Sequence, residues 1–478
     1  MAEKNIGITV KKADNISEWY TQVIQKAELA DYTKVSGCMV IRPRAYEMWE
    51  KVQDYFNKRI KALGVKNAYF PLFIPESLLL KEKEHVEGFS PEVAWVTHAG
   101  NSKLNERLAI RPTSETIMYD SYKNWIRSYN DLPLKINQWC NIVRWEFKNP
   151  MPFLRGREFL WQEGHSVFAT REEAEEEIRT ILDIYADVME KLYAVPVMKG
   201  KKSNVEKFAG AVETLSIETI LPSGKAIQIA TTHFLGQNFS KAFGISYLDR
   251  DEKKKHPWQT SWGISTRTLG IMTMIHGDDK GMIVPPRVAP VHGVIVPIRL
   301  ENDKKAFKEI EAVKEQLNSH EIVIDERTGY TPGFKFNDWE MKGIPVRIEI
   351  GPKDIENKSV MLVRRDTGEK KPVKVAKLKE EFKVILDDIQ KNLLNRAKES
   401  MEKHIVEVSD YASLKKAIKD KKVAKAYFCC EDACEEEIAE ETTAKTLNMP
   451  FKQPNLDGKK CMHSGKDAKA LIYFGRSY

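Results

Sequence analysis

Two stretches of the chain carry apolar residues at helical spacing. Over residues 171–193, Ala174, Ile178, Leu182, Tyr185, Met189 and Leu192 recur at steps of three and four, which places them on one face of a helix. Over residues 376–401, Leu378, Phe382, Ile385, Ile389, Leu393 and Met401 draw a second stripe flanked by Lys and Glu. Each predicts a helix with one buried and one solvated face.

Between them the pattern changes. Residues 284–298 break helix repeatedly at Pro285, Pro286, Pro290 and Gly293 and end in a short β-rich run. A helix is predicted over 304–317, a strand over 321–325, a Gly/Pro-rich turn over 329–333, and strands over 345–350 and Ser359–Arg364. Strands alternating with helices predict a compact α/β unit. The boundaries expected are 1–290, 291–377 and 378–478, and three domains suit a chain of 478 residues.

Composition narrows the class. Hydrophobic residues at 42% and charged residues at 30% exclude a disordered or collagen-like chain. No apolar run reaches membrane-spanning length, and the first residues have no apolar signal core. The net charge of +7 permits an anionic partner without requiring one. Of six cysteines, Cys38 and Cys140 stand alone and Cys429, Cys430, Cys434 and Cys461 crowd one end. A long chain so sparse in cysteine elsewhere is expected in a reducing, cytoplasmic compartment.

Four clusters carry chemistry. In Arg111-Pro112-Thr113-Ser114-Glu115, Thr113 or Ser114 suits a helix cap with Glu115 in the first turn. The second runs from Arg144-Trp145-Glu146 through Phe153-Leu154-Arg155-Gly156-Arg157-Glu158-Phe159 to Trp161-Gln162-Glu163-Gly164-His165. It reads as two β-like arms around a loop with Asn149, Pro150 and Pro152: either a charged hairpin, or a polyphosphate clamp whose guanidinium forks match phosphate oxygens. An aromatic beyond Arg157 can stack on a base. The third, Gln228 to His233, alternates like a strand and ends in small polar groups. The fourth, Trp262-Gly263-Ile264-Ser265-Thr266-Arg267, puts Gly and Ser before an Arg, which lets a strand-to-helix junction approach a ligand closely.

In this order the clusters resemble the class II aminoacyl-tRNA synthetases, and within them the prolyl-tRNA synthetases of archaeal and eukaryotic type. Gly64-Val65-Lys66-Asn67-Ala68-Tyr69-Phe70-Pro71 looks like motif 1, Arg144 through Phe159 like motif 2, and Gly263 through Arg267 like motif 3. Arg111 through Glu115 and the terminal Gly475-Arg476-Ser477-Tyr478 match further signatures of that group.

The resemblance implies an α+β fold: an antiparallel class II sheet with flanking helices, an α/β anticodon-binding domain, and a small C-terminal α/β domain of zinc-binding type. It implies a homodimer built around motif 1, and ligation of L-proline to tRNA(Pro) through prolyl-adenylate, with ATP and Mg²⁺. By motif position, Arg144 would contact the α-phosphate and carboxylate, Arg155 the outer phosphates and Arg267 the nucleotide. Glu146, Phe159 and Gln228 belong to the expected ATP site, with Phe159 stacked on adenine. Thr113 and Glu115 would receive the amine of proline, and Glu115 would supply the anion that a buried ammonium needs. Trp161, Phe208 and His165 would wall the ring, and Thr231, His233 and Ser265 would complete the polar side. Residues 147–262 leave no room for the editing insertion of bacterial-type enzymes.

In the middle domain, Arg347 and Glu349 alternate on a predicted strand, with Lys353 and Asp354 just beyond. They would read exposed anticodon edges as donor and acceptor; a charged edge strand is the other reading. In the tail, Cys429, Cys434, Cys461 and His463 have the makings of a closed tetrahedral zinc site, with Cys430 as the alternative first ligand. The same residues also suit a metal-free domain with buried thiols.

Overall fold

The computed structural model describes residues 7–85, 92–146, 149–300 and 303–478. Its centre is an eight-stranded sheet ordered Met449–Pro450, Met198–Lys201, Glu213–Ile220, Ala226–Gly236, Trp258–Ser265, Glu158–Phe168, Leu134–Val143, Lys66–Asn67. Neighbours run antiparallel except at the last pair, where Lys66–Asn67 of the motif 1 segment joins in parallel.

The first predicted stripe forms the helix Arg171–Asp187, continued by a π turn over Val188–Leu192. Thr170 and Glu173 close a capping box at its start, satisfying two otherwise unpaired backbone donors. Its apolar face crosses the sheet on the strands Glu213–Ile220, Ala226–Gly236 and Trp258–Ser265, and Ile178, Ile181, Leu182 and Tyr185 are buried there. The helices Ile16–Lys26, Pro43–Ala62 and Arg267–His276 fill the same core. On the opposite face, Met118, Tyr119 and Tyr122 of the helix Glu115–Trp125 pack with Phe239 and Phe243. They cover one end of the sheet and leave the rest open.

The middle unit has five strands ordered Ile322–Ile324, Gly293–Pro297, Val346–Ile350, Ser359–Arg364, Lys370–Lys374. The first two pairings are parallel and the last two antiparallel. Val346–Ile350 is therefore central, which corrects the edge-strand reading. The second stripe forms the helix Leu378–Lys403. Leu378, Phe382, Ile385, Ile389 and Leu393 are buried in one cluster with this sheet.

The C-terminal unit has four strands, Ile405–Glu407, Val423–Phe428, Ala470–Gly475 and Lys445–Thr446, with helices Tyr411–Lys419 and Asp432–Thr442. It is stitched to the central sheet in two places. Met449–Pro450 forms that sheet's edge strand, and Gly200 opposite it has no room for a side chain, since a Cβ would sit 2.3 Å from the Met449 carbonyl oxygen. The Ala226 N–H donates to the Arg476 carbonyl and the Tyr478 N–H to the Ala226 carbonyl. Among the described residues no helix is long and apolar enough to cross a membrane.

Candidate active site

The open face of the central sheet holds a cavity of ≈ 320 Å³, within the range of small-molecule sites. Strand register builds it in rows, because side chains two apart on a strand share a face. Trp161 pairs with Ser265, and Glu163 with Gly263 and through it Thr231. His165 pairs with Ser261, which faces His233, which faces Thr214. Thr113, Glu115, Trp161, His165, Phe208, Thr231, His233 and Ser265 of the expected proline site all line this one cavity. So do Arg144, Phe159, Gln228 and Arg267 of the expected ATP site.

The Arg111–Glu115 segment does not act simply as a helix cap. Ser114 occupies the N-cap position of Glu115–Trp125 without a side-chain cap bond. The Thr113 hydroxyl instead donates to Glu115, and the Ser114 hydroxyl to Glu163. Glu163 is buried and also accepts from the Ser114 N–H at 3.2 Å and from Gln138 Nε2 at 3.0 Å, while His165 Nε2 lies 3.1 Å from it. Burial alone would push the Glu163 carboxyl up, but bonds from His165, Ser114 and Gln138 outweigh it and hold the pKa below its ordinary value. Burial likewise opposes charge on His165, and its bond to the Glu163 carboxylate with the field of Glu115 raises its pKa above 6.5.

His233 has the opposite character. Burial, then the positive charges of His165 and Arg144, drive its pKa down to about 3, so it is a neutral imidazole at pH 7. Its two ring nitrogens lie 3.0 Å from the hydroxyls of Thr214 and Thr231, and its ring packs on Phe208 with centroids 4.6 Å apart.

The two cationic groups are held by backbone oxygens. Arg144 Nε donates to the Pro112 carbonyl at 3.0 Å, and its guanidinium lies 5.9 Å from the Phe159 ring and 5.5 Å from the Trp161 ring. Arg267 opens the helix Arg267–His276 and donates to the carbonyls of Leu154 at 3.3 Å and Gln228 at 3.1 Å. Burial, with Arg144 and Arg155 nearby, lowers its pKa to about 10, so it stays charged. Two expected residues lie outside the cavity lining. Arg155 packs on Tyr478, 5.5 Å from its ring centroid, and Glu146 is exposed. The first hairpin arm ends at Val143, so Arg144, Trp145 and Glu146 belong to the loop rather than to a strand.

Arg347 and Glu349 do share a face of their strand, but both are buried. Arg347 donates to Glu349 at 2.9 and 3.0 Å and to Glu340 at 3.1 Å. That corrects the expectation of open base-reading edges. Lys353 is exposed, whereas Asp354 accepts the Gly351 N–H at 2.9 Å and so caps its own short helix, Pro352–Glu356.

In the tail, the buried sulfurs of Cys429, Cys434 and Cys461 lie within 4.8 Å of one another. Cys434 Sγ is 3.9 Å from Cys461 Sγ and 3.1 Å from His463 Nδ1. Tetrahedral zinc with bonds near 2.3 Å needs sulfurs about 3.8 Å apart, so the three sulfurs suit that ion, while His463 falls outside the group that lies mutually within 4.8 Å. Cys430, at positive φ, turns its sulfur toward the Phe428 carbonyl and is not in the group.

Comparison with known proteins decides the family. The description "tRNA synthetase class II core domain (G, H, P, S and T)" matches residues 95–276, "Anticodon binding domain" 292–385 and "Prolyl-tRNA synthetase, C-terminal" 411–478. A cytoplasmic proline–tRNA ligase of Arabidopsis thaliana is 48% identical over 100% of this chain and 92% of its own. The chain belongs to the prolyl-tRNA synthetases. A proline–tRNA ligase of Alkaliphilus oremlandii is 49% identical over 98% of each chain. The crystal structure of the Cryptosporidium parvum prolyl-tRNA synthetase complexed with halofuginone and AMPPNP superposes with TM-score 0.96 at 46% identity, over 100% of this chain and 98% of that one. The α+β class II fold read from the motifs is the fold observed.

Among the groups the structure adds to the cavity of this synthetase, beyond those the motifs singled out, are Glu163, Glu206, Ser261 and Thr214. Alternation alone points to Glu163, which sits between Trp161 and His165 on the same face. Ser261, two before Gly263, follows from the same rule. Thr214 becomes visible only once strand pairing is known.

Proposed function

We propose that this cavity joins L-proline to tRNA(Pro) in two steps. In the first, a carboxylate oxygen of proline attacks the α-phosphorus of ATP. An O–P bond forms, the bond to the leaving oxygen breaks, and pyrophosphate departs from prolyl-adenylate. In the second, a 3′-terminal ribose hydroxyl attacks the prolyl carbonyl, AMP leaves with the bonding pair, and the hydroxyl proton passes to solvent or phosphate.

The observation that carries this reading is a single small cavity in which Thr113 and Glu115 face the same space as Arg144 and Arg267. The carboxylate receives the charged secondary amine, and neutral His233 walls the ring without adding a like charge. The guanidiniums stabilise phosphate charge as it shifts in the transition state. Phe159 stacks on the base; Glu146, Arg155 and Gln228 complete the nucleotide site. The AMPPNP in the Cryptosporidium enzyme supports an ATP site here. Mg²⁺ accompanies ATP and neutralises its phosphates. Of the cavity carboxylates, Glu115 accepts from Thr113, and Glu163 accepts from Ser114 and Gln138 with His165 beside it.

The same reading extends outward. Zinc on Cys429, Cys434, Cys461 and His463 fixes the C-terminal fold. The exposed Tyr69 and Phe73 after the motif 1 strand support a homodimer there. The middle domain takes the anticodon, with Lys353 exposed for contact. No editing insertion interrupts residues 149–265, and the enzyme works in the cytoplasm.

Pyrophosphate exchange across a panel of amino acids tests the proposal. Proline is expected to drive exchange, with a weak alanine signal, and Glu115→Ala to abolish it. A stronger response to another amino acid, or none to proline, overturns it.

A further inference from the structure

The helix Arg267–His276 is gripped at both ends. Inside the cavity Arg267 donates to the carbonyls of Leu154 and Gln228. At the far end the chain turns at Gly277, whose N–H donates to the Thr273 carbonyl, and reaches Asp278. There the anticodon-binding unit takes hold. Arg365, whose side chain is only 4% exposed, donates both Nη groups to the Asp278 carboxylate at 2.6 and 2.8 Å. Its Nε donates to the Glu340 carbonyl at 2.9 Å, which ties the same guanidinium to the helix Pro332–Lys342.

The segment after Asp278 docks on that unit as well. The N–H of Met282 donates to the Met341 carbonyl at 3.0 Å and that of Val284 to the Gly343 carbonyl at 3.2 Å. Gly281 has no space for a side chain, since a Cβ would lie 2.6 Å from the Met341 backbone. Arg365 is thus the charged centre of the joint between the two units, about 15 Å of buried helix from Arg267 at roughly 1.5 Å per residue. Residues 268–274 of that helix are all buried, so it cannot bend to absorb a shift at one end, as close-packed elements transmit displacement.

We propose that Arg365 is a positioning residue for amino-acid activation: by clamping Asp278 it fixes the seat of the helix that presents Arg267 to the nucleotide. The inference rests on Arg267 serving ATP, as proposed above. A bidentate fork defines direction as well as distance, which a lysine at the same place cannot do. The joint therefore specifies geometry, and anticodon-domain placement is felt at the nucleotide end of the cavity rather than at the proline end.

The test is tRNA-free pyrophosphate exchange by the full-length enzyme, with KM measured separately for ATP and proline. Arg365→Lys and Asp278→Asn are expected to raise the ATP KM about tenfold with proline KM within twofold, and the double variant to be no worse than the poorer single variant. Arg365→Lys keeps the buried charge paired, so a folded protein is available even if Arg365→Ala is not. An unchanged ATP KM in folded variants, an equal rise in both KM values, or additive losses each overturn the proposal. If the unmodified enzyme shows no ATP-dependent exchange, the reading of the site fails instead, and the two failures are distinguishable.

Discussion

Glu163 shows what one side chain does beneath the cavity. From the central sheet it holds the N-terminus of the helix Glu115–Trp125, through Ser114, and also His165, two residues along its own strand. A carboxyl held below its ordinary pKa stabilises the fold above pH 4.5 and loses that contribution as pH falls through the depressed value. An imidazole held above its ordinary pKa stabilises below pH 6.5 and loses it as pH rises through the elevated value. The two overlap between about pH 4.5 and 6.5, the ordinary values of the two groups. Glu163→Gln should therefore lower Tm by the largest margin in that window, with the gap narrowing on both sides. Thermal melts from pH 3.5 to 8 will show it, and a pH-independent gap would mean that the pair is not ionised.

Residue identities were readable from sequence where local order carries the information: Thr113, Glu115, Trp161 and His165 lie in motifs, and alternation points to Glu163. The burial of Arg347 and Glu349 was not readable. Whether a charged strand is an edge or the middle of a sheet depends on partners far along the chain, here Gly293–Pro297 and Ser359–Arg364.

At the scale of elements, the shape of the cavity floor depends on one missing side chain. Trp262 lies across Gly164 of the neighbouring strand, where a Cβ would come 2.2 Å from the indole ring. The same indole donates Nε1 to the buried Glu177 at 3.3 Å. Gly164→Ala must push the ring off that seat, and overpacking of this kind costs about 1–3 kcal/mol. We expect a lower urea midpoint and a several-fold higher proline KM; unchanged values of both would show that the strand yields instead. The helical stripes over 171–193 and 376–401 were legible because period and length agree. Their assignment to different cores was not, because Leu378 and Phe382 find their partners in the five-stranded sheet rather than in the cysteine-rich unit that follows.

For the whole molecule, the zinc reading and the stitching of the C-terminal unit to the catalytic sheet bear on each other. If Cys429, Cys434, Cys461 and His463 hold zinc, the ion stabilises a unit that supplies an edge strand to the catalytic sheet. Elemental analysis is expected to find about one zinc per chain, and Cys434→Ala to lose it. Chelation should lower Tm by several degrees and reduce exchange only as the catalytic sheet loosens. A ratio near zero in the unmodified protein would leave the unit held by its apolar core, in which the thiols already pack with Leu414, Phe428 and Ile438.

The strand Met449–Pro450 also sets an order of events in biogenesis. The edge Met198–Lys201 that it covers is made about 250 residues earlier. At the ribosome's pace of about 5–20 residues per second, that edge waits on the order of 10–50 s for its partner. An unpaired strand edge is a template for association with other chains. Lys199 and Lys201 along it are charged gatekeepers during the wait. Replacing them would leave the finished enzyme little altered while making the nascent chain far more dependent on chaperones.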